Sequence, residues 1–375
     1  MRNAVVVFLV VRILASVTAV IAIGAVPSNP IAAANGYAKP AYAESFELLF
    51  GVWERSDALW YLQIAQKGYG ENRQGAAFLP LYPLAIRGIK LVTGLPWLVS
   101  ALVVSNLAFL CALILLFKLT EAETNGEVAS RTVWYLALFP GSVFFLAPYT
   151  ESLFLALATG SFLAARKRNW LLAAVLGSLL GTTRNIGVFI FLPLVVEFLR
   201  QRKEVPPVRL KKALWLSLVP LGLLLVLLFW RMKTGDPLTL IHQQRMWGRA
   251  FFWPWTTVWQ GTRQALDFVA LFSGGLYLAE AVAALGAILL GLMAIRGLPA
   301  PYVVFLWVCL LPPLLAPFEG RMLMCSLRFI SVIFPVFMTL AITVRHRDLD
   351  LGIKIIFAGL YGLFTALYVA SLNFF

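Results

Sequence analysis

One polar stretch near the start of the chain holds side chains suited to sugar chemistry. Ser56 suits a helix N-cap and Gly68 suits a helix end, so a short helix is predicted between them. On it Asp57, Trp60 and Tyr61 are spaced i, i+3 and i+4, which puts a carboxylate beside two aromatic rings. Such rings can stack on the apolar face of a pyranose, and a partly desolvated carboxylate can serve as a general base. The stretch therefore suits a sugar site.

The same side chains also have a purely structural explanation. Asp is favoured in the first turn of any helix by the helix dipole. Trp and Tyr are enriched where a protein meets the membrane–water interface. From residue types and spacing alone, both explanations of Asp57, Trp60 and Tyr61 remain open.

The composition predicts that these residues are positioned by membrane helices. Of 375 residues, 61% are hydrophobic and only 13% are charged, with a mean hydropathy of +0.85. A water-soluble domain needs more charge to cover its surface. A spanning helix needs about 20 mostly apolar residues, and the chain has many such stretches. We therefore predict an all-α integral membrane protein, a polytopic bundle of about eleven spans in one domain, residues 1–375.

The distribution of charge and the few metal-ligating residues indicate which classes of partner to expect. The net charge is +14, but the basic residues lie mostly between apolar runs, where they orient a membrane protein and meet anionic lipids. No nucleic-acid partner is therefore expected. The three cysteines have no CxxC spacing, and there are only two histidines, so no metal site and no cofactor is predicted.

The short basic loops predict an orientation. With a cytoplasmic N-terminus, the basic clusters at 166–168, 200–212 and 345–354 all fall inside. Residues 27–94 then form a long first external loop, which carries short amphipathic helices and Asp57. The external loops still hold many arginines, which indicates a negatively charged partner on that side. Predicted spans include 132–148 and 328–344, whereas residues 264–275 fit either a re-entrant or an interfacial helix.

An ordered set of motifs resembles the PIG-V family of mannosyltransferases. Residues 55–69 are similar to its approximate pattern R-W-D-x-x-W-Y-x-x-I-A-x-x-G-Y, and residues 77–84 to the F-F-P-L-Y-P that follows. Further similar elements follow in family order at 148–154, 183–187, 244–249, 254–255 and 326–329. Two positions depart from the pattern. Ser56 replaces the usual Trp, and Leu327-Arg328-Phe329 replaces a usual P-R-Y.

The resemblance implies a fold and a reaction. Enzymes of this kind are GT-C glycosyltransferases, which place a catalytic carboxylate in the first external loop and take a sugar from a polyprenyl-phosphate or dolichyl-phosphate donor. It implies inverting transfer of mannose to a lipid-linked or other extracytoplasmic acceptor, with Asp57 as the base. The leaving phosphate needs cations rather than a proton, so arginines can stabilise it and no metal is expected.

The matched motifs also imply which residues bind substrate. Besides the catalytic Asp57, the expected substrate-binding residues are Trp60, Tyr61, Glu151, Arg184, Gln244, Arg245, Trp247, Arg249 and Arg328.

Two alternatives stay open at this stage. A transporter or lipid flippase would share the hydropathy and the intramembrane Arg12, but it would place its ionisable residues near mid-membrane. Here they gather in predicted external loops beside aromatic residues, which favours an enzyme. Within the enzyme class, the residues do not separate mannose from glucose or arabinose. The compact loops favour a prokaryotic plasma membrane with the active site outside, and a eukaryotic chain would place the site in the lumen of the endoplasmic reticulum.

The orientation can be tested by cysteine labelling. A cysteine introduced at position 71 should react with an impermeant reagent from outside sealed vesicles, and one at position 204 should react only from the cytoplasmic side. The unmodified chain provides the background signal from its own cysteines. Labelling of both positions from the same side would contradict the arrangement.

Overall fold

The computed structural model describes residues 2–25, 49–70, 73–204, 208–267 and 274–371. Within these ranges the regular structure is helical. The first eight α-helices are α1 (Arg2–Ala25), α2 (Asp57–Lys67), α3 (Leu81–Thr93), α4 (Trp97–Glu123), α5 (Gly126–Leu138), α6 (Glu151–Arg166), α7 (Trp170–Gly181) and α8 (Phe191–Arg202). The next eight are α9 (Leu218–Thr234), α10 (Thr239–Met246), α11 (Pro254–Asp267), α12 (Gly274–Gly297), α13 (Ala300–Leu315), α14 (Ser326–Ser331), α15 (Phe334–Thr343) and α16 (Arg347–Val369).

Short 3₁₀ helices link several of the α-helices. They cover Gly51–Trp53, Arg73–Ala77, Pro140–Phe145, Asn185–Ile190 and Leu210–Ser217.

Five helical stretches of the described ranges are long and apolar enough to cross a bilayer. They have 22 to 27 residues, against the about 20 that a span requires. They are Arg2–Ala25, Trp97–Glu123, Leu210–Thr234, Leu276–Gly297 and Arg347–Val369. The prediction of an all-α, multi-pass membrane protein is therefore confirmed, whereas the count of about eleven spans is not. Three shorter apolar helices are α7, α13 and α15.

A first compact unit comprises residues 1–71, 81–156 and 344–375. In it α1 packs against α4, α5 and α16. The buried residues of α1 recur every three or four positions, and most of them are alanine. Small side chains let helix backbones approach closely, which favours association in lipid. The helices α2 and α3 pack against each other and α2 also contacts α4, so this unit positions the residues around Asp57.

A second compact unit comprises residues 72–80 and 157–343. Here α7 packs against α9, and α12 contacts α11, α13, α14 and α15. Glycines allow two close backbone approaches. A Cβ atom at Gly222 of α9 would clash with the carbonyl oxygen of Ser178 in α7, and one at Gly187 would clash with that of Leu180. These contacts require glycine because no other residue leaves room for the neighbouring backbone.

Several predicted spans differ from the helices observed. The predicted span 132–148 is divided, because α5 ends at Leu138 and a 3₁₀ helix begins at Pro140, whose ring and missing N–H cannot continue an α-helix. The predicted span 328–344 is likewise divided into α14 and α15. Of the unplaced residues 264–275, the first four complete α11, the last two begin α12, and 268–273 lie outside the described residues.

The predicted loop 27–94 carries short helices, as expected. The helix α3 is amphipathic: it buries Tyr82 and Ile86 but exposes Leu84, Leu91 and Val92. An apolar exposed face suits a helix that lies in the membrane interface. The part of this loop before residue 49 lies outside the described residues.

The close approach of α7 and α9 generates a stability prediction. Gly222→Ala should lower the stability by about 1–3 kcal/mol, because the added methyl group must displace the Ser178 backbone. The matched control is Gly359→Ala, at an exposed helical glycine with open space around its Cβ position. The thermal midpoint in detergent measures both. Equal midpoints for the two variants would show that the α7–α9 contact tolerates a side chain.

Candidate active site

The helix that carries Asp57 has nearly the predicted bounds. α2 begins at Asp57 and ends at Lys67, and Gly68 follows with a φ of 73° that favours glycine. The N–H of Gly68 donates to the Ile64 carbonyl at 2.8 Å. Ser56 occupies the N-cap position as predicted, but its hydroxyl makes no capping hydrogen bond. The helix therefore starts without the side-chain cap that the sequence suggested.

The backbone at Ser56 is strained. Its φ is 51° and its ψ is −119°, in a region that non-glycine residues rarely adopt. Such a conformation costs on the order of 1–3 kcal/mol and persists only where the surrounding structure enforces it. The strain lies one residue before Asp57, in the segment that leads into α2.

Asp57 and Trp60 are half-buried, whereas Tyr61 is only 5% exposed. The Tyr61 ring lies edge-on to Tyr82, with centroids 5.1 Å apart, and its hydroxyl is 3.5 Å from Thr150 Oγ1. Tyr61 thus packs on the side of α2 that faces α3 and the start of α6. Asp57 and Trp60 keep partly accessible surface from which they can reach a ligand.

Tyr82 connects this packing to Glu151. Its hydroxyl is 2.6 Å from Ser105 Oγ and donates to the Ala101 carbonyl at 3.1 Å. Burial raises the pKa of Tyr82 well above its ordinary value, the hydrogen bond with Ser105 acts in the opposite direction, and the carboxylate of Glu151 adds to the rise. Tyr82 therefore stays neutral at physiological pH.

Glu151 itself is fully buried at the first position of α6. Thr150, the residue before it, lies 3.5 Å from the Tyr61 hydroxyl, so α6 begins beside the tyrosines that pack on α2. The structure thus brings four of the predicted site residues, Asp57, Trp60, Tyr61 and Glu151, into one unit around the same helix.

A second group of predicted residues gathers around Phe329 in the other unit. The Arg249 guanidinium lies 4.2 Å from the centre of the Phe318 ring and 5.4 Å from that of Phe329. Arg184, far away in sequence, lies 5.8 Å from the same Phe329 ring. Arg328 is the adjacent residue and only 8% exposed. The guanidinium groups of Arg184 and Arg249 therefore lie near one aromatic ring, an arrangement with the charge to bind an anion.

Backbone pairing positions Arg249. The N–H of Glu319 donates to the Gly248 carbonyl at 2.8 Å, and the N–H of Phe252 donates to the Leu315 carbonyl at 3.0 Å. These bonds hold the segment after α10 against the segment after α13. Arg249 Nη1 also donates to the Ala316 carbonyl at 2.7 Å, which fixes the direction of its side chain.

An ion pair inside the same unit stabilises the segment that precedes α14, the helix that carries Arg328. Glu280 of α12 accepts the N–H of Cys325 at 2.7 Å, and Arg321 Nη2 lies 3.4 Å from its carboxylate. Cys325 has a φ of 65° and immediately precedes α14, which carries Arg328. The sequence contained no signal for this pair beyond an acidic residue within an apolar run.

The remaining predicted residues, from α10 and the turn after it, have different surroundings. Gln244 is half-buried, and its backbone carbonyl accepts the backbone N–H of Arg249 at 3.2 Å. Arg245 is exposed, and its side chain makes no hydrogen bond or ion pair within the described ranges. The Trp247 ring lies edge-on to Phe78, with centroids 6.0 Å apart. Arg245 therefore has no observed contact that joins it to the arginines around Phe329.

Sequence reasoning missed two polar arrangements. His242 lies in α10, and its Nδ1 is 2.8 Å from Asp236 Oδ2. Arg55, identified only as part of a motif, is 3% exposed and hydrogen-bonds to the carbonyl of Val369. Asp236 and His242 are six positions apart, whereas Arg55 and Val369 are 314 positions apart, and no local pattern indicates either contact.

A known protein family matches the part of the chain that contains Asp57. The family model described as Mannosyltransferase (PIG-V) matches residues 2–190, half of the chain, including Asp57, Glu151 and Arg184. The match ends before Arg249 and Arg328.

Curated proteins similar to this chain share one description. GPI mannosyltransferase 2 of Cryptococcus neoformans var. neoformans serotype D is 31% identical over 146 residues, which cover 36% of this chain and 34% of the relative. GPI mannosyltransferase 2 of Yarrowia lipolytica is 42% identical over 81 residues, 21% of this chain and 23% of the relative. The chain thus covers about a third or less of the length of these relatives.

Among solved structures, the chain is similar to the crystal structure of ArnT from Cupriavidus metallidurans bound to undecaprenyl phosphate. The TM-score is 0.48 and the identity 14%, over 80% of this chain and 57% of ArnT.

Proposed function

Because this chain belongs to the mannosyltransferase (PIG-V) family, we propose that it is a membrane mannosyltransferase whose donor is a polyprenyl-phosphate or dolichyl-phosphate mannose. The observation that carries the proposal is the family match over residues 2–190, with Asp57 half-buried at the start of a short helix in that region. A GT-C type fold and an inverting reaction belong to the same proposal.

The proposed reaction assigns one step to Asp57. Its carboxylate removes the proton of an acceptor hydroxyl while that oxygen attacks the anomeric carbon of the sugar. A new C–O bond forms as the bond from the anomeric carbon to the phosphate oxygen breaks, and the lipid phosphate leaves with the electron pair. Asp57 keeps the proton. Attack from the face opposite the phosphate inverts the anomeric centre.

The other residues near α2 have proposed binding roles. Trp60 is half-buried and can stack on the apolar face of the sugar ring, whereas Tyr61 is held in place by Tyr82. Glu151, buried near the same tyrosines, is proposed to orient the acceptor. Two relatives are named GPI mannosyltransferases, which supports a glycolipid acceptor.

The arginines around Phe329 are proposed to bind the phosphate of the donor. Charge-assisted hydrogen bonds from guanidinium groups suit a phosphate that gains negative charge as it leaves. Arg249 and Arg184 supply two guanidinium groups at one ring, with Arg328 adjacent. No divalent cation is part of this proposal. The active site is proposed to lie on the extracytoplasmic side of the membrane.

Replacing Asp57 tests the base. Asp57→Asn keeps the size and much of the hydrogen bonding but cannot accept the proton, so turnover should fall by about 10²–10⁴-fold. The measurement is mannose transfer from radiolabelled polyprenyl-phosphate mannose to membrane lipid extract, together with the thermal midpoint. The matched control is Asp348→Asn, an exposed aspartate in the first turn of α16.

The outcomes of that pair separate two roles. If Asp57 only stabilises α2 through its interaction with the helix dipole, both variants should lose at most about 1 kcal/mol of stability and keep normal turnover. A stable but slow Asp57→Asn variant supports the base. A fully active one would make Asp57 structural and direct the search to Glu54 or Glu151.

Replacing the arginines tests the phosphate site. Arg184→Ala, Arg249→Ala and Arg328→Ala should each weaken donor binding or slow turnover by about 1.5–3 kcal/mol, as expected for a hydrogen bond to a charged group. Arg249→Lys should restore less than full activity if the contact is bidentate. The control is Arg263→Ala, at an exposed arginine of α11. Normal donor kinetics in all three alanine variants would place the phosphate site elsewhere.

A further inference from the structure

The segment immediately before Asp57, residues 51–56, is held by a buried arginine. Arg55 is 3% exposed, and its Nε donates to the carbonyl of Val369 at 3.1 Å. Its Nη1 donates to the carbonyls of Gly51 at 3.3 Å and Glu54 at 3.0 Å. A guanidinium carries five N–H donors in a rigid plane, so one side chain can bond several carbonyls at once. Arg55 thus joins the segment to a residue 314 positions away.

The Val369 carbonyl, which Arg55 bonds, is well placed to bind a cation. Val369 is the last residue of α16, and the carbonyls of a final helical turn have no partner within the helix. They also carry the negative end of the helix dipole, which favours a nearby positive charge. Burial lowers the pKa of Arg55 to about 10, with the nearby Tyr368 acting in the opposite direction, so the side chain remains cationic at neutral pH.

Two tyrosine hydroxyls hold the same segment from other directions. Tyr149 donates to the Arg55 carbonyl at 3.3 Å, and Tyr368 donates to the Trp53 carbonyl at 3.0 Å. Their rings contact each other, with centroids 6.0 Å apart. The Arg12 guanidinium lies 5.1 Å from the centre of the Trp53 ring. Hydrogen bonds from α16, from the turn before α6 and from within the segment therefore converge on residues 51–55.

These hydrogen bonds hold the backbone around Ser56 in its strained conformation. Ser56 makes no side-chain cap, and its φ is 51°. The Arg55 carbonyl, which Tyr149 bonds, also accepts the N–H of Ala58 at 3.0 Å and so closes the first turn of α2 around Asp57. Arg55, two residues before Asp57, and Ala58, the residue after it, are thereby tied together.

We infer that Arg55 is a positioning residue, which, together with Tyr149 and Tyr368, ties residues 51–56 to the C-terminal end of the last helix and thereby sets the direction of the Asp57 carboxylate. The inference rests on the proposed role of Asp57 as the base. Arg55 acts through the backbone that leads to Asp57 rather than on the substrate. Its loss should therefore misplace the base, which affects the chemical step more than the binding of the donor.

The first experiment separates kcat from KM. Arg55→Gln should lower kcat by about 10²-fold, because a displacement of about 1 Å costs that much, while the donor KM changes by less than about threefold. Tyr149→Phe removes one hydrogen bond to the segment and should lower kcat by about 3- to 10-fold. Arg55→Lys should recover part of the loss, since it keeps the charge but not the three-way geometry.

Tyr135→Phe is the matched control for Tyr149→Phe. Tyr135 is a buried tyrosine of the same unit, and its hydroxyl donates to Asp350 at 2.7 Å rather than to residues 51–56. It should lose stability of similar size but keep its kcat. Equal kcat losses in the two variants would show a general effect of a buried hydroxyl and overturn the inference. Tyr149→Phe and Arg55→Lys also keep the test decisive if Arg55→Gln fails to fold.

A double variant shows whether Arg55 acts through Asp57. In the background of Asp57→Asn, adding Arg55→Gln should cause no further loss of kcat, because the group that it positions is already gone. Additive losses would mean that Arg55 acts independently, which overturns the inference.

The failure of this inference and that of the proposed base give different results. A slow Asp57→Asn with a normal kcat in Arg55→Gln removes only the positioning role. A fully active Asp57→Asn removes the base, and with it the role of Arg55.

Discussion

Backbone N–H and C=O groups must find partners inside the protein wherever lipid replaces water, and the rest of the structure follows from that constraint. Long apolar stretches such as Trp97–Glu123 meet it by forming uninterrupted helices. Where the helix breaks, the break is covered. The 3₁₀ helix Pro140–Phe145 consists entirely of buried residues, and the Leu136 carbonyl before it accepts both the Phe139 N–H at 3.4 Å and the Ser142 hydroxyl at 2.5 Å. Irregular backbone is tolerated because protein, not lipid, surrounds it.

The same constraint explains why buried charges pair with backbone groups. An isolated buried charge is costly, and hydrogen bonds to carbonyl or N–H dipoles reduce that cost. Arg55 bonds three carbonyls, and Glu280 accepts the N–H of Cys325 as well as pairing with Arg321. Through these hydrogen bonds each charge holds in place a segment that is not part of an α-helix. In each unit that segment leads directly to a residue with a proposed role, Asp57 in one and Arg328 in the other.

Local patterns in the sequence predicted what local interactions determine. The bounds of α2 followed from helical spacing and from Gly68, and the long spans followed from apolar length. The contact of Arg55 with Val369 could not be predicted, because it joins residues 314 positions apart and no single sequence shows which helix ends meet. For the same reason Arg249 and Arg245 were equivalent candidates before the fold was known. Only the first contacts Phe329.

The departure from the family pattern at Phe329 has a physical explanation in these contacts. The usual tyrosine would offer a hydroxyl, but the two arginines contact the ring. The negative face of an aromatic ring attracts a guanidinium whether or not the ring carries a hydroxyl. A guanidinium over a ring uses its flat face, whereas its N–H donors lie in its plane, so stacking and hydrogen bonding do not compete. Phe329 can thus orient Arg184 and Arg249 while their donors remain available to an anion, and the proposed phosphate contact does not require the hydroxyl.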